Sequence, residues 1–573
     1  MLETILRKAT DSEPGFSRKK VKWGISCTND GRFTGVIQLD EGKGRAFDRC
    51  PSLSQPELVG GDKPRAHFLA EGLPTVALYW NDDLDLKDQE KFQAKHAYFC
   101  GLLEKAAKSA PYLAPAAKML NDDEMVRSIR EDLARQRAKP TETATVLIDG
   151  INPLEQDEWW DWWRQFRSTV RPLSSGGNKM RCFATGALVE PALTHPVKIK
   201  GLAGVGGLGT GDVLVGFDKQ AFQSYGLEQS TNAAVSEEAA TAYAETLNRL
   251  ISEKSIRLGN VLAVYWFTEA VLQDDDPLVW LKEPPEQTEA SAEIKARQLL
   301  QAIRTGHRPD LAQNRYVALA LSGAAGRVMV REVMESSFET LVTNVERWFT
   351  DLSIIARDGK GLCKPQKFLA VAGALVRELD ELASPWVQQL WHAATTGGAI
   401  PTFAVARMTL RARMDVINDE AASHARMGLI KAFHIRKGDQ NMQPYLNPDH
   451  PHPAYHCGCV LAVFARLQRA ALGDVGAGVV QRYYAAMNQS PGLVLGRLAA
   501  NAKNHLSKLD GGLAHWYEKQ IADVMSRIGD AVPRTLPLEE QSLFALGYYQ
   551  QLATLNAGKA GNTTTSDATE TAA

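Results

Sequence analysis

The chain has 573 residues, of which 44% are hydrophobic and 23% are charged, and its formal net charge is −2. This length predicts several domains, and the ordinary globular composition excludes a wholly disordered protein. The near-zero charge excludes a protein that coats nucleic acid through bulk charge, although a local basic groove remains open. The chain has no run of 18 apolar residues and no apolar signal core, so we expect a cytoplasmic protein with no membrane partner.

The cysteines give no sign of a disulfide framework. Their odd number and wide spacing exclude one, and no CxxC pair is present. We expect most of them to be small buried hydrophobic residues. They are Cys27, Cys50, Cys100, Cys182, Cys363, Cys457 and Cys459.

The N-terminal part of the sequence predicts strands followed by a helix. Two strand-like runs, 22–28 and 33–39, flank an Asn-Asp-Gly sequence at 29–31 that is typical of a tight hairpin turn. Further along, the pattern predicts a helix over 88–109, a charged linker over 121–143 and a strand over 146–149.

The middle of the chain mixes both element types, and the rest is helical. Helices are predicted over 237–251 and 335–352, and strands over 213–217, 261–267 and 315–321. From about Gly359 onward the pattern is almost wholly helical, and the small polar residues of 557–573 indicate a disordered tail.

These elements predict an α+β, multidomain protein whose mixed N-terminal and middle regions precede an all-helical C-terminal bundle. The predicted parts are an N-terminal mixed α/β domain (1–155), a middle α+β domain (156–355), a helical connector (356–440), a helical bundle (441–556) and the tail (557–573).

A glycine-rich loop over 204–209 matches the G-x-G-x-x-G pattern of dinucleotide sites. A β-branched run follows the glycines where such a site needs a helix, so we expect no cofactor. The pattern favours a mobile loop. The alternative that stays open is a loop whose bare backbone at Gly206 and Gly207 approaches a phosphate chain. Lys198 and Lys200 precede the loop on one side of a short predicted strand. The two alternatives for them are contacts to phosphate and solvated lysines with no partner.

The segment 193–250 carries the most specific pattern in the sequence. Ser236 is a good helix N-cap before an acidic first turn and an apolar stripe, and Gln229 and Asn232 lie in the turn before that helix. The segment closely resembles the large subunit of the type I-C CRISPR surveillance complex, Cascade. The matching residues are Cys182, Thr185, Gly186, His195, Pro196, Ile199, Lys200, Phe222, Ser224, Tyr225, Gly226, Glu228, Gln229, Ser230, Asn232, Ala233, Val235, Ser236 and Glu237.

This resemblance extends more weakly over nearly the whole chain, and it implies a function. Such a subunit is non-catalytic, recognises the PAM on target duplex DNA, stabilises the R-loop and recruits a helicase-nuclease in antiviral defence. The implied partners are the guide crRNA, PAM-containing dsDNA, and the backbone, handle-binding and small subunits of Cascade. Where the family usually has an asparagine that approaches the DNA, this chain has Gly72, so that role is not transferred.

The resemblance also concerns the C-terminal bundle, which is similar to the small subunit. An internal start at Met442 or Met427 would release this bundle as a separate product. The sequence has no Walker A, nucleophile-elbow or HExxH pattern, which favours a binding subunit over an enzyme.

We expect a PAM-proximal basic surface in the N-terminal domain. For each basic residue of this surface, the alternative is a solvated side chain that contacts no DNA. One set is the run that begins at Arg18, and a second occupies the turn-rich segment 43–65, which also includes Arg49. The full set of predicted nucleic-acid-binding residues is Arg18, Lys19, Lys20, Lys22, Lys43, Arg45, Lys63, Arg65, Lys198, Lys200, Gly206, Gly207, Gln229 and Asn232.

An aromatic run falls on one face of a predicted helix. Its members are Trp159, Trp162, Trp163 and Phe166, and the pattern favours a core or a subunit interface. A stacking platform for unpaired bases, helped by Arg164, Arg167 and Arg171, is the alternative.

A histidine and cysteine cluster over 450–459 contains residues suited to zinc: His450, His452, His456, Cys457 and Cys459. Their spacing matches no standard four-ligand site, so we expect a proline-rich linker and no metal. A metal-dependent nuclease built on this cluster, and a purely structural scaffold, are the alternative functions.

Overall fold

The chain folds into two compact units. The computed structural model describes residues 1–9, 13–42, 44–59, 64–170, 179–284, 292–418, 420, 423–475, 478–530 and 532–560. Unit 1 comprises Met1–Ser255 and Leu321–Arg331, and unit 2 comprises Ile256–Ala320 and Glu332–Ala573. Both strands and helices are present and the C-terminal region is helical, which confirms the predicted α+β class. The finer division into five parts stays a prediction.

Unit 1 is a mixed α and β structure. Its strands are β1 (Phe16–Val21), β2 (Trp23–Cys27), β3 (Phe33–Gln38), β4 (Arg45–Pro51), β5 (Glu71–Gly72), β6 (Thr143–Ile148), β7 (Met180–Arg181) and β8 (Leu188–Val189). Its helices are α1 (Leu2–Leu6), α2 (Gln55–Val59), α3 (Leu73–Val76), α4 (Leu86–Ala106), α5 (Ala114–Leu120), α6 (Asp123–Arg135), α7 (Trp160–Val170) and α8 (Glu237–Glu253).

The central sheet of unit 1 has the strand order β3-β2-β6-β5. β2 pairs antiparallel with β3, as the predicted hairpin requires, and Gly31 in the turn has a positive φ. β2 pairs in parallel with β6, while β1 and β4 form a separate antiparallel ribbon. The ribbon lies beside the central sheet, where β1 is in contact with β6.

The segment 121–143 is not a linker but contains α6. Asp122 caps this helix by accepting from the backbone N–H groups of Glu124 and Met125. Val126, Ile129 and Leu133 are buried, since their spacing places them on one face. The charged residues of the segment lie on the opposite, exposed face. Composition alone therefore favoured a linker over a helix.

Unit 2 contains a four-stranded sheet in the order β12-β11-β10-β9. Its strands are β9 (Ser255–Leu258), β10 (Val261–Phe267), β11 (Arg315–Ala324) and β12 (Arg327–Ser337). The tip of the β11-β12 hairpin, Leu321–Arg331, belongs to unit 1. The predicted helix over 335–352 begins only at Phe338, because β12 continues to Ser337.

Helices make up the rest of unit 2. They are α9 (Pro277–Lys282), α10 (Ala292–Arg304), α11 (Pro309–Ala312), α12 (Phe338–Leu352), α13 (Phe368–Gly373), α14 (Ser384–Thr396), α15 (Thr402–Ile417), α16 (His424–Arg436), α17 (Pro453–Leu472), α18 (Val479–Gln489), α19 (Pro491–Leu506), α20 (Gly511–Ile528) and α21 (Leu538–Ala560).

One hydrophobic core runs through unit 2 from Ile256 to Leu555. The crossing of α17 and α21 is especially close, because a Cβ at Gly458 would lie 2.0 Å from the Phe544 carbonyl oxygen. α21 continues to Ala560, and the remainder of the predicted tail lies outside the described residues. Among the helices that the structure describes, none is long and apolar enough to cross a membrane.

Candidate nucleic-acid interface

Lys198 and Lys200 lie side by side on a braced backbone segment of unit 1. The Asn248 side chain on α8 donates to the Lys198 carbonyl at 2.9 Å and accepts from the Lys200 N–H at 2.7 Å. Ile199 between them is buried, while both lysines are exposed. This alternation matches the predicted strand-like placement on one side of the segment. Within the described residues, neither lysine forms an ion pair.

A group of ionisable side chains surrounds His67, and we call it the lysine-histidine cluster: Lys19, His67, Glu71, Lys95 and Lys200. The Lys19 Nζ donates to the Ala70 carbonyl at 3.2 Å. The His67 Nδ1 accepts from the Leu53 N–H at 3.0 Å, so this nitrogen carries no proton. The two Glu71 oxygens accept from the backbone N–H groups of His67 and Gly72, at 3.0 and 2.9 Å.

The electrostatics of this cluster are dominated by positive charge. Burial lowers the pKa of His67 to about 3, and Lys19, Lys95 and Lys200 lower it further while Glu71 opposes them. Burial also lowers the pKa of Lys19, with Glu71 opposing and Lys200 adding to the effect. Lys19 therefore faces the Glu71 carboxylate, while Lys95 and Lys200 add positive charge around His67. A phosphate placed near these lysines would relieve their mutual repulsion.

The predicted cationic run on β1 does not form one surface. Successive side chains of a strand point to opposite faces, so Arg18 and Lys20 are exposed on one face and Lys19 turns inward on the other. Arg18 pairs with Asp48 at 3.2 Å. Lys22 Nζ lies 2.7 Å from Glu142, which also accepts from the Trp23 indole, so this charge is neutralised locally.

Several basic residues of the second predicted set, in the segment 43–65, also form contacts within the chain. Arg45 pairs with Glu155 at 2.5 Å, and Arg65 donates to the Glu57 carbonyl at 2.6 Å. The Arg49 guanidinium lies 4.5 Å from the centre of the Trp160 ring. Lys43 and Lys63 lie outside the described residues.

The glycine-rich loop packs backbone against backbone. A Cβ at Gly323 would lie 2.1 Å from the Gly207 Cα, and one at Gly206 would lie 2.8 Å from the Gly323 carbonyl oxygen. Beneath the loop the buried Asp212 carboxylate accepts from the Leu208 N–H at 3.2 Å. Close packing, rather than the expected mobility, accounts for these glycines, and a buried carboxylate at this place disfavours a phosphate there.

The strand predicted over 213–217 is absent. Only isolated bridges form here, between Ile199 and Asp212 and between Val213 and Arg327. The chain bends at Leu214 and Val215, so the run after Asp212 does not extend a sheet.

Gln229 and Asn232 have different places in the turn before α8. The Asn232 amide is fully engaged with the backbone of residues 224–229. Gln229 is exposed and has a positive φ of 45°. Asn232 therefore shapes the turn, while the Gln229 carboxamide lies on its surface.

The aromatic run packs into the core of unit 1, as its pattern favoured. Trp159 and Trp163 are fully buried, and the Phe68 ring lies 5.6 and 5.8 Å from theirs. Phe68 is the neighbour of His67, so this packing positions the lysine-histidine cluster.

Two of the three arginines predicted to assist a stacking platform are engaged in ion pairs. Arg164 pairs with Glu13, and the buried Arg167 contacts Glu57 at 2.9 Å and also Glu237. Arg171 lies outside the described residues.

The histidine and cysteine cluster of unit 2 serves packing and capping. The His452 Nδ1 accepts from the Ala454 N–H at the start of α17, and the His456 Nε2 donates to the His450 carbonyl at 2.6 Å. Burial raises the pKa of the Cys457 thiol to about 12, which disfavours the thiolate that zinc needs. In the part of the chain that is described, no group of three such side chains is arranged for a metal ion.

Sequence reasoning missed His67, Glu71 and Lys95. The signal available was weak: two ionisable residues bracket the apolar run 68–70, and a lone lysine lies on a helix. Their proximity to Lys19 and Lys200 depends on tertiary packing.

Comparison with known proteins identifies the family. A model of the CRISPR-associated protein family Cas_Csd1 matches residues 3–555, which is nearly the whole chain. No curated protein matches the sequence. Because the match spans both units, the chain belongs to the Cas_Csd1 family of CRISPR-associated proteins, a family of Cascade large subunits.

Proposed function

We propose that this chain is the type I-C Cascade subunit that recognises the PAM on target dsDNA, stabilises the R-loop and recruits the helicase-nuclease. The proposal rests on membership of the family and on one structural observation. That observation is the pair of exposed lysines, Lys198 and Lys200, which Asn248 holds on one side of their segment and which form no ion pair within the part of the chain that is described.

The chemistry of this surface suits the backbone of a duplex. Lysine contacts to phosphates position a protein on DNA without reading sequence, and guide RNA supplies the sequence specificity in such complexes. Lys20 and Gln229 are exposed and are proposed as further contacts to the DNA. A glutamine side chain is able to read an adenine edge.

The proposed role is non-catalytic and cytoplasmic, without a cofactor. The partners are the guide crRNA, the target dsDNA, the Cascade backbone, handle-binding and small subunits, and the recruited helicase-nuclease. Degradation of the target then belongs to the recruited enzyme.

The test compares two double variants in the assembled complex. In Lys198→Ala/Lys200→Ala, loss of two phosphate contacts is expected to weaken binding of PAM-containing dsDNA about tenfold or more. The slope of log K against log salt is expected to fall by about 2, since each contact contributes about 0.9. Filter binding at four salt concentrations measures both quantities.

Lys105→Ala/Lys108→Ala is the matched control. Both of these lysines are exposed at the end of α4, and Lys105 lies about 15 Å along the helix from Lys95. The control removes the same charge from the same unit and is expected to bind normally. Equal affinity and equal slope for both double variants would reject the proposed surface and favour a purely structural scaffold.

A further inference from the structure

A strained turn in unit 1 carries a tyrosine at its tip. The Leu227 N–H donates to the Ser224 carbonyl at 2.9 Å, and the two central residues, Tyr225 and Gly226, have φ values of 54° and 70°. Positive φ at both central positions defines a type I′ turn, in which asparagine followed by glycine is preferred. An aromatic residue in this conformation is uncommon and costs free energy. The fold therefore holds Tyr225 at the tip against its own backbone preference.

A single amide side chain braces this turn from inside. The Asn232 Oδ1 accepts from the Ser224 N–H at 2.8 Å, and its Nδ2 donates to the carbonyls of Leu227 and Gln229 at 2.9 Å each. The Ser230 N–H then donates to the Leu193 carbonyl at 3.0 Å, which ties the turn to the segment leading to the lysines. These hydrogen bonds therefore brace the backbone that carries Tyr225.

The tyrosine ring is left entirely in solvent. Tyr225 is 100% exposed, the largest value among the exposed large hydrophobic residues of the described chain. Its neighbours in the turn are Ser224, Gly226 and the half-buried Leu227, and the exposed Gln229 follows two residues later in the chain. A protein-docking anchor normally has an apolar surround, whereas an aromatic face flanked by amides suits a nucleobase.

A second aromatic surface lies in the same segment. Phe222 is 43% exposed, and the Arg327 guanidinium lies 4.8 Å from the centre of its ring. Arg327 also pairs with Asp218, which fixes the guanidinium over the ring. Such a stacked arginine and aromatic pair offers a second flat surface of the kind that unpaired bases contact.

We propose that the 224–227 turn is a base-stacking device, in which the Tyr225 ring packs against an exposed nucleobase of the opened target DNA. Because Asn232 already fixes the backbone of the turn, little backbone entropy is lost when the ring stacks. The role is separate from phosphate binding by the lysines, but it rests on the proposed function, since it needs DNA bound to unit 1.

The experiment uses the assembled complex and targets with 2-aminopurine at successive positions beside the PAM. Stacking on an aromatic ring changes the fluorescence of this base. With Tyr225→Ala, we expect loss of the fluorescence change at one or two adjacent positions and about tenfold slower strand opening. Tyr225→Phe keeps the ring and is expected to retain both signals. Asn232→Asp keeps the shape of the side chain but removes its two N–H donors. We therefore expect this variant to weaken both the fluorescence change and the strand opening.

Tyr445→Ala is the matched control, because Tyr445 is also exposed and belongs to unit 2.

A photo-crosslinking residue at 225 separates the classes of partner: crosslinks to DNA support the proposal, and crosslinks to a protein subunit overturn it. If Tyr225→Ala binds and opens DNA like the wild type, the stacking device is rejected while the proposed function stands. If the wild-type complex binds no PAM-containing dsDNA, both are rejected.

Discussion

Gly323 lies where one added methyl group would meet backbone atoms. In Gly323→Ala the new Cβ would be 2.1 Å from the Gly207 Cα, and neither segment is a flexible side chain that can move aside. We expect a loss of unfolding free energy of about 3 kcal/mol, at the upper end for overpacking. Urea unfolding followed by tryptophan fluorescence measures it.

Gly209→Ala provides the comparison within the same loop. Gly209 has no atom within 4 Å of its ideal Cβ, so the substitution is expected to change stability by no more than about 0.5 kcal/mol. Equal stability of the two variants would show that the glycine-rich loop is not held by close packing.

Single residues were predictable from the sequence where local periodicity decides their place. Lys198 and Lys200 share a side because the buried Ile199 lies between them. The same periodicity separates Lys19 from Lys20, which the sequence analysis had treated as one run. His67 and Lys95 were not predictable, because only tertiary packing brings the charges of Lys19 and Lys95 to His67.

At the scale of elements, α16 and α21 are joined by a buried histidine. The His434 Nε2 donates to the Ser542 hydroxyl at 2.7 Å, and that hydroxyl donates to the Glu539 carbonyl. The Nε2 atom of His434 therefore carries a proton in the fold. Burial, together with His450 and Lys437, lowers the pKa of His434 to about 4, against the opposing effect of Asp439 and Glu539.

This histidine predicts acid sensitivity. Between pH 6.5 and 4 the unfolded chain binds the proton more strongly than the folded chain, so stability falls as the pH falls. From pH 7.5 to pH 5 the contribution of His434 is a loss of about 2 kcal/mol. In His434→Gln this part of the pH dependence is expected to disappear, as measured by urea unfolding at each pH.

His515→Gln is the matched control, because the His515 side chain is 83% exposed on α20. It removes an imidazole without removing a buried contact, and the pH dependence is expected to remain. An unchanged pH dependence in His434→Gln would contradict the account of this helix contact.

The elements themselves were predictable where pattern and turn chemistry agree. The β2-β3 hairpin and α8 follow from the Asn-Asp-Gly turn and the Ser236 cap. Helix α6 was missed because its charged face dominates the composition, although its apolar stripe is regular. The run after Asp212 has strand propensity but lacks a neighbouring strand to pair with over its length.

At the scale of the whole molecule, the core of unit 2 does not stop at the predicted bundle boundary. Helices α15 and α16 pack against α21, and Met442 itself is buried. A product that starts at Met442 would lack both helices and expose the apolar face that they cover. An internal start therefore stays a prediction, and its product would need another partner for that face.

The central claim is that this chain gives the complex its recognition of duplex DNA beside the target. The most direct measurement assembles the complex with and without the chain and measures binding to dsDNA in which the flanking bases are randomised. The account predicts that discrimination between flanking sequences disappears without the chain, returns with the wild type and returns with the Lys105→Ala/Lys108→Ala variant. Equal discrimination by the complex that lacks the chain would contradict it.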